Sequence, residues 1–137
     1  MSEQCNWKFN VQVVGGPMIA ASGEQTVDAY SKSQVVVPAR TGSTDGQTEL
    51  TLDTTGASIL IVRASRYVDP DNPATRLQYA VTAGGTAGTA VNLIGPLILI
   101  GEDAIRLLGN PVERLTFTNP TASEITIDTL VGVDATP

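Results

Sequence analysis

Histidine is missing altogether from the 137 residues, cysteine occurs once, and aromatic side chains make up 4% of the chain. Without histidine there is no Ser-His-Asp or Cys-His triad, no histidine zinc ligand and no copy of the commonest general base. A lone Cys5 cannot close an internal disulfide, and its expected place is a half-buried structural one. Scarce rings leave little for stacking on sugars or on single-stranded nucleic acid. Bases are few as well: 8 Lys and Arg stand against 14 Asp and Glu, a net charge of −6. That balance argues against nucleic acid as a partner, because phosphate binding needs basic side chains to release counterions. The most apolar stretch, Val91 to Ile100, is interrupted by Asn92, Gly95 and Pro96. It reaches about half the ~20 residues of a membrane helix. Met1-Ser2-Glu3-Gln4-Cys5 shows neither a basic n-region nor an apolar h-region, so no signal peptide is expected. Synthesis in a reducing cytoplasm without membrane insertion is the expectation.

What is present leans to β structure. Area scaling gives roughly 6,800 Å² of folded surface for a 14.3 kDa chain, about two-thirds of the unfolded surface being buried. One domain with a real core, spanning residues 1–137, needs no metal or disulfide. Thr and Val are abundant, Gly numbers 13 and Pro 8, and charged residues are only 16%. Turn signals at short, even intervals read as a single antiparallel β-sandwich or jelly-roll-like domain with at most one short helix.

Trp7, Phe9, Val11 and Val13 alternate with Lys8, Asn10 and Gln12, which predicts a strand with one buried face, ended by Gly15-Gly16-Pro17. Weaker strands are expected near Gln25–Tyr30 and Gln34–Val37, and another at Leu50–Leu52. Ser58–Val62 is apolar on both faces and reads as a strand covered on both sides. Leu77–Val81 and Leu97–Ile100 follow, with a small-residue loop at Thr82–Thr89 between them. Acids at the start of Glu102–Leu108, Gly109 after it and Pro111 beyond favour one short helix, although Ile105 and Leu107 also fit a strand. Val112–Thr118 and Ile125–Val133 read as a hairpin around Asn119-Pro120-Thr121. One echo runs through the chain: Leu50-Thr51-Leu52…Ala57-Ser58 resembles Leu115-Thr116-Phe117…Ala122-Ser123. Two hairpins sharing one turn grammar explain it more simply than duplication.

No constellation carries chemistry. Asp69-Pro70-Asp71-Asn72 is rich in oxygen, but Ca²⁺ takes six to eight ligands and Pro73-Ala74 follow where a calcium loop continues. Adjacent Glu102 and Asp103 do not share a face. A glycosidase dyad would have to assemble from distant acids such as Glu49, Asp53 or Glu124, in a cleft. Gly84-Gly85-Thr86-Ala87-Gly88 lacks the lysine and the following helix of a phosphate loop. Tyr67 beside Arg63 and Arg66 is the one candidate recognition patch, although a tyrosine at a strand end also reads as structural. The expectation is therefore no catalysis, no cofactor and no bound metal.

The surplus is apolar. Val91, Leu93, Ile94, Leu97, Ile98, Leu99 and Ile100 bring more apolar surface than one strand face hides, and a contiguous exposed patch of that kind is rare on a soluble monomer. Either this strand is central in the sandwich or the segment is an assembly surface packed on a second copy.

The residues also carry a resemblance. Leu50 to Arg66, Gly95-Pro96-Leu97-Ile98-Leu99-Ile100-Gly101, and Leu115-Thr116-Phe117-Thr118-Asn119-Pro120…Ile127-Asp128-Thr129-Leu130-Val131-Gly132 resemble small β-sandwich structural proteins of tailed bacteriophages. The resemblance implies a virion component without an active site, foremost a capsid decoration or cement protein. Such a protein would be a symmetric homo-oligomer, commonly a trimer, seated on a major capsid or other virion protein. Baseplate, neck and fibre components share the texture. A carbohydrate-recognising sandwich module is the alternative.

Overall fold

Threonine, valine and isoleucine, punctuated by glycine and proline, produce a chain that is almost all strand. The computed structural model describes residues 3–67, 76–109 and 111–134. Among these run β1 (Glu3–Gln12), β2 (Met18–Val27), β3 (Ala29–Val37), β4 (Gly46–Thr51), β5 (Ala57–Ala64), β6 (Gln78–Ala83), β7 (Thr86–Ala87), β8 (Val91–Asn92), β9 (Leu97–Ile100), α1 (Glu102–Arg106), β10 (Val112–Asn119) and β11 (Ile125–Val133). The strand pairs are antiparallel, as short strands joined by turns require.

Two sheets enclose the core. One has the order β3-β11-β5-β9; the other runs β4-β10-β6-β7, with β8 also paired to β6. Alternation sends Leu60, Val62 and Ala64 of β5 and Ile125, Ile127 and Val131 of β11 inwards, into one cluster with Leu115 and Phe117 of β10. Each fully buried Leu, Ile or Phe contributes roughly 1.5–3 kcal/mol. The all-β sandwich that composition and turn spacing predict is the fold observed, and α1 is the one helix among the described residues. Acids in the first turn of α1 and Arg106 in the last complement the helix dipole, with Arg106 bonded back to Glu102 at 2.7 Å and Asp103 at 3.3 Å.

Three expectations need correction. First, β10 and β11 are not a hairpin: β10 pairs with β4 and β6, while β11 pairs with β3 and β5 in the opposite sheet. The turn between them is an arch across the core. Pro120 cannot donate to a continuing ladder, and buried Asn119 replaces the missing bonds. Its amide donates to the carbonyls of Ser123 at 2.8 Å and Pro38 at 3.2 Å, and its oxygen accepts from Thr121 N at 2.9 Å. The sequence echo marks two such arches. β4-to-β5 also crosses between sheets, Leu50 sits opposite Leu115, and β5 lies beside β11.

Second, of the two readings left open for Leu97–Ile100, a central strand or an assembly surface, the central one does not hold. β9 is an edge strand paired with β5 alone. Third, the apolar face of β1 is not in the core. Phe117 is fully buried, but Trp7 is only half-buried and Phe9 is 42% exposed. The reason is a partner the sequence reading did not assign: residues from Met18 onward fold back as β2. The ten pairs from Glu3–Val27 to Gln12–Met18 make a separate two-stranded arm, turned at Gly15, whose φ is 74°. The Asp69–Asn72 loop lies outside the described residues.

Candidate assembly surface

β5 carries large apolar side chains on both faces. With Leu60 and Val62 in the core, Ile59 and Ile61 project from the outer face of their sheet. Register adds neighbours in rows: Ile59 stands between Ile100 and Gly132, and Ile61 between Ile98 and Leu130. The part of this sheet's outer face nearest β9 is therefore apolar, while Lys32, Gln34, Arg63 and Asp128 make the rest of it polar.

The base of the arm covers one part of that face. Val27 is fully buried and Ile59 nearly so, where β2 passes over Gly132. A Cβ on Gly132 would come within 2.9 Å of Val27 Cγ1 and 3.5 Å of Ile59 Cβ, so the close approach requires glycine. Within the arm, the Trp7 indole lies against Gly23, whose Cβ would fall 2.5 Å from Cζ2. Trp7 stacks on Phe9 at 6.1 Å between ring centres and 20° between planes. Free, half-buried Cys5 joins Trp7, Ile61, Ile98 and Leu130 around a cavity of about 270 Å³ under the arm.

Pairing makes the arm an amphipathic ribbon. Residues opposite one another share a face, so Trp7, Phe9 and Val11 lie together with Gly23, Ala21 and Ile19. The other face carries Asn6, Lys8, Asn10 and Gln12 with Glu24, Ser22, Ala20 and Met18. Only the base of the apolar face meets the sheet. Towards the tip, Val11 is 61% exposed, Ile19 68% and Val14 98%. Between this face and β9 opens a cleft of about 670 Å³, with Phe9 and Val11 on one side and Pro96, Ile98, Leu99 and Ala104 on the other.

The seven residues singled out from sequence separate. Ile98 and Ile100 join the outer apolar face with Ile59, Ile61 and Leu130, and Leu99 reaches the cleft wall while also packing on the core, as Leu97 does. Leu93 is buried in the core. Exposed Val91 lies on the opposite sheet beside Tyr79 and Leu108, and Ile94 is exposed in the connection before β9. The arm residues Phe9, Val11, Met18 and Ile19 were not among the seven. Their signal was legible: a Gly-Gly-Pro turn between two apolar runs, and no charged residue anywhere between Lys8 and Glu24.

The polar candidates are engaged in holding the fold. Tyr67 packs on the core and its hydroxyl accepts from Ala64 N at 3.1 Å. Arg66 donates to Thr121 Oγ1 and to the Ser123 carbonyl, both at 2.8 Å. Arg63 meets Asp128 at 2.9 Å, and Gln34 donates to the same carboxylate at 2.9 Å. These bonds, Arg63 first, hold the Asp128 carboxyl below the usual carboxylate range. Asp53 is lowered too, by hydrogen bonds from Thr55. Both shifts run opposite to the raised pKa of an acid catalyst. Glu49, Asp53 and Glu124 are all exposed. Among the described residues no group of three or more acidic or cysteine side chains is placed to hold a metal, and no helix is long and apolar enough to cross a membrane.

No family model matches the chain, and neither a curated protein nor a solved structure is significantly similar to it.

Proposed function

We propose that this chain is a non-catalytic structural component of a tailed-phage virion, a capsid decoration or cement protein that self-associates and binds a major capsid protein. The observation that carries the reading is the apolar excess on the outside of a well-formed sandwich. A chain with a complete core still presents an apolar sheet face and an apolar arm, features that cost solubility unless an assembly covers them. The resemblance of the Leu50–Arg66, Gly95–Gly101 and Leu115–Gly132 segments to phage sandwiches supplies the kind of assembly. An acidic surface keeps the free protein soluble, so adhesion rests on shape, hydrogen bonds and apolar anchors, with no cofactor. A closed trimer suits a protein seated at symmetric positions on a shell.

The test compares capsids of the producing phage with and without this protein. Decorated shells are expected to retain their DNA to a higher temperature and at lower salt, and adding the purified protein to bare shells is expected to restore the difference. Equal resistance of the two, with no protein retained on the shells after sedimentation, would contradict the proposal.

A further inference from the structure

The arm and the cleft beside it pose one question twice: each is an apolar surface without enough chain to cover it. The cleft holds about 670 Å³, the scale of a site that encloses several apolar groups. The arm tip leaves Val11, Val14 and Ile19 in solvent. A small apolar ligand would fill the cleft and leave the tip exposed. A second copy answers both, because every copy brings one arm and one cleft.

Charge points the same way. The chain carries −6 overall, so two copies repel over most of their surface. Yet no charged residue lies between Lys8 and Glu24, and none lines the cleft. Glu102 and Asp103, next to Ala104 at its rim, are both paired with Arg106. Here like copies meet without that penalty, as they also would at the uncharged patch around Tyr79, Val91 and Leu108, which has no arm to offer in exchange. Area agrees as well. The chain exposes 8268 Å², about 1,500 Å² more than its mass predicts, while a standard interface takes about 800 Å² from each partner.

We infer that copies of this chain exchange arms, the Val11–Ile19 end of one lying in the cleft between the arm and β9 of the next. The inference rests on the self-association proposed above and names the surface that produces it. Each arm given is matched by one received, an exchange that a two-fold pair or a closed ring completes with no arm left over.

Two measurements test it. Val11 and Ile19 face each other across the arm, so Val11→Lys with Ile19→Glu puts opposite charges side by side and preserves the ribbon while removing its apolar face. Light scattering after size exclusion is expected to show the unaltered protein as an oligomer and this variant as a 14.3 kDa monomer with unchanged circular dichroism. In the second measurement Cys5→Ser removes the natural thiol. Chains bearing Val14→Cys are then mixed with chains bearing Ala104→Cys and oxidised, and a mixed disulfide dimer is the expected product. An oligomer that survives the charge pair and yields no mixed dimer overturns arm exchange but leaves self-association standing. An unaltered protein that is itself monomeric overturns both.

Discussion

Two buried polar side chains on strands consecutive in the chain show how environment sets the value of one residue. Asn119 is fully buried with both ends of its amide bonded, and it ties the β10–β11 arch to the end of β3 through the Pro38 carbonyl. Thr129 is 3% exposed on the core face of β11, and its hydroxyl has no hydrogen-bond partner among the described residues. Replacing a satisfied group strands its partners, whereas replacing an unsatisfied one removes a standing cost. Asn119→Ala is therefore expected to cost about 2–3 kcal/mol, and Thr129→Val to add about 1 kcal/mol. At roughly 3–5 °C per kcal/mol for a domain of this size, thermal melts should move in opposite directions by about 10 °C and 4 °C. A stabilising Asn119→Ala would show that the arch is held by something other than this amide.

At the scale of elements, the arm is a ribbon with one close backbone approach within it and another at its base. Gly23 lies under the Trp7 ring, and Gly132 lies under Val27. Overpacking such a contact costs about 1–3 kcal/mol. Trp7 is the only tryptophan in the chain, so its fluorescence reports the arm while circular dichroism reports the sandwich. Gly23→Ala is expected to shift the Trp7 emission to the red, with the strand signal retained. Unchanged emission would mean that the indole does not rest where the structure has it. Periodicity made β1 legible as a strand, because Trp7, Phe9, Val11 and Val13 alternate. It did not say what the apolar face would meet, since a period of two is the same on a core strand and on an arm. β10 and β11 were legible as strands for the same reason. Their separation into two sheets was not, because whether a turn folds back or crosses over depends on long-range pairing with β4 and β5. The echo between the two arches was visible, but its meaning emerged only once Leu50 stood opposite Leu115.

For the whole molecule, composition carried the most. An all-β sandwich follows from abundant β-branched residues and evenly spaced turns, and the apolar surplus was plain before its place was known. Its location shifted for a physical reason. Leu93 is buried and Leu97 and Leu99 alternate towards the core, while Ile98 and Ile100 alternate outwards beneath an arm whose apolar face was expected in the interior. What results is a body with a filled core, an acidic exterior and an apolar region formed by the arm tip, β9 and the Ile59–Ile61 part of the outer face of β5. The central claim is that this region is a contact between copies. The most direct measurement is the mass of the unaltered protein in solution, by light scattering coupled to size exclusion, across a dilution series through micromolar concentration. The account predicts a closed oligomer at a fixed whole-number multiple of 14.3 kDa, foremost three. A 14.3 kDa species throughout the series would contradict it.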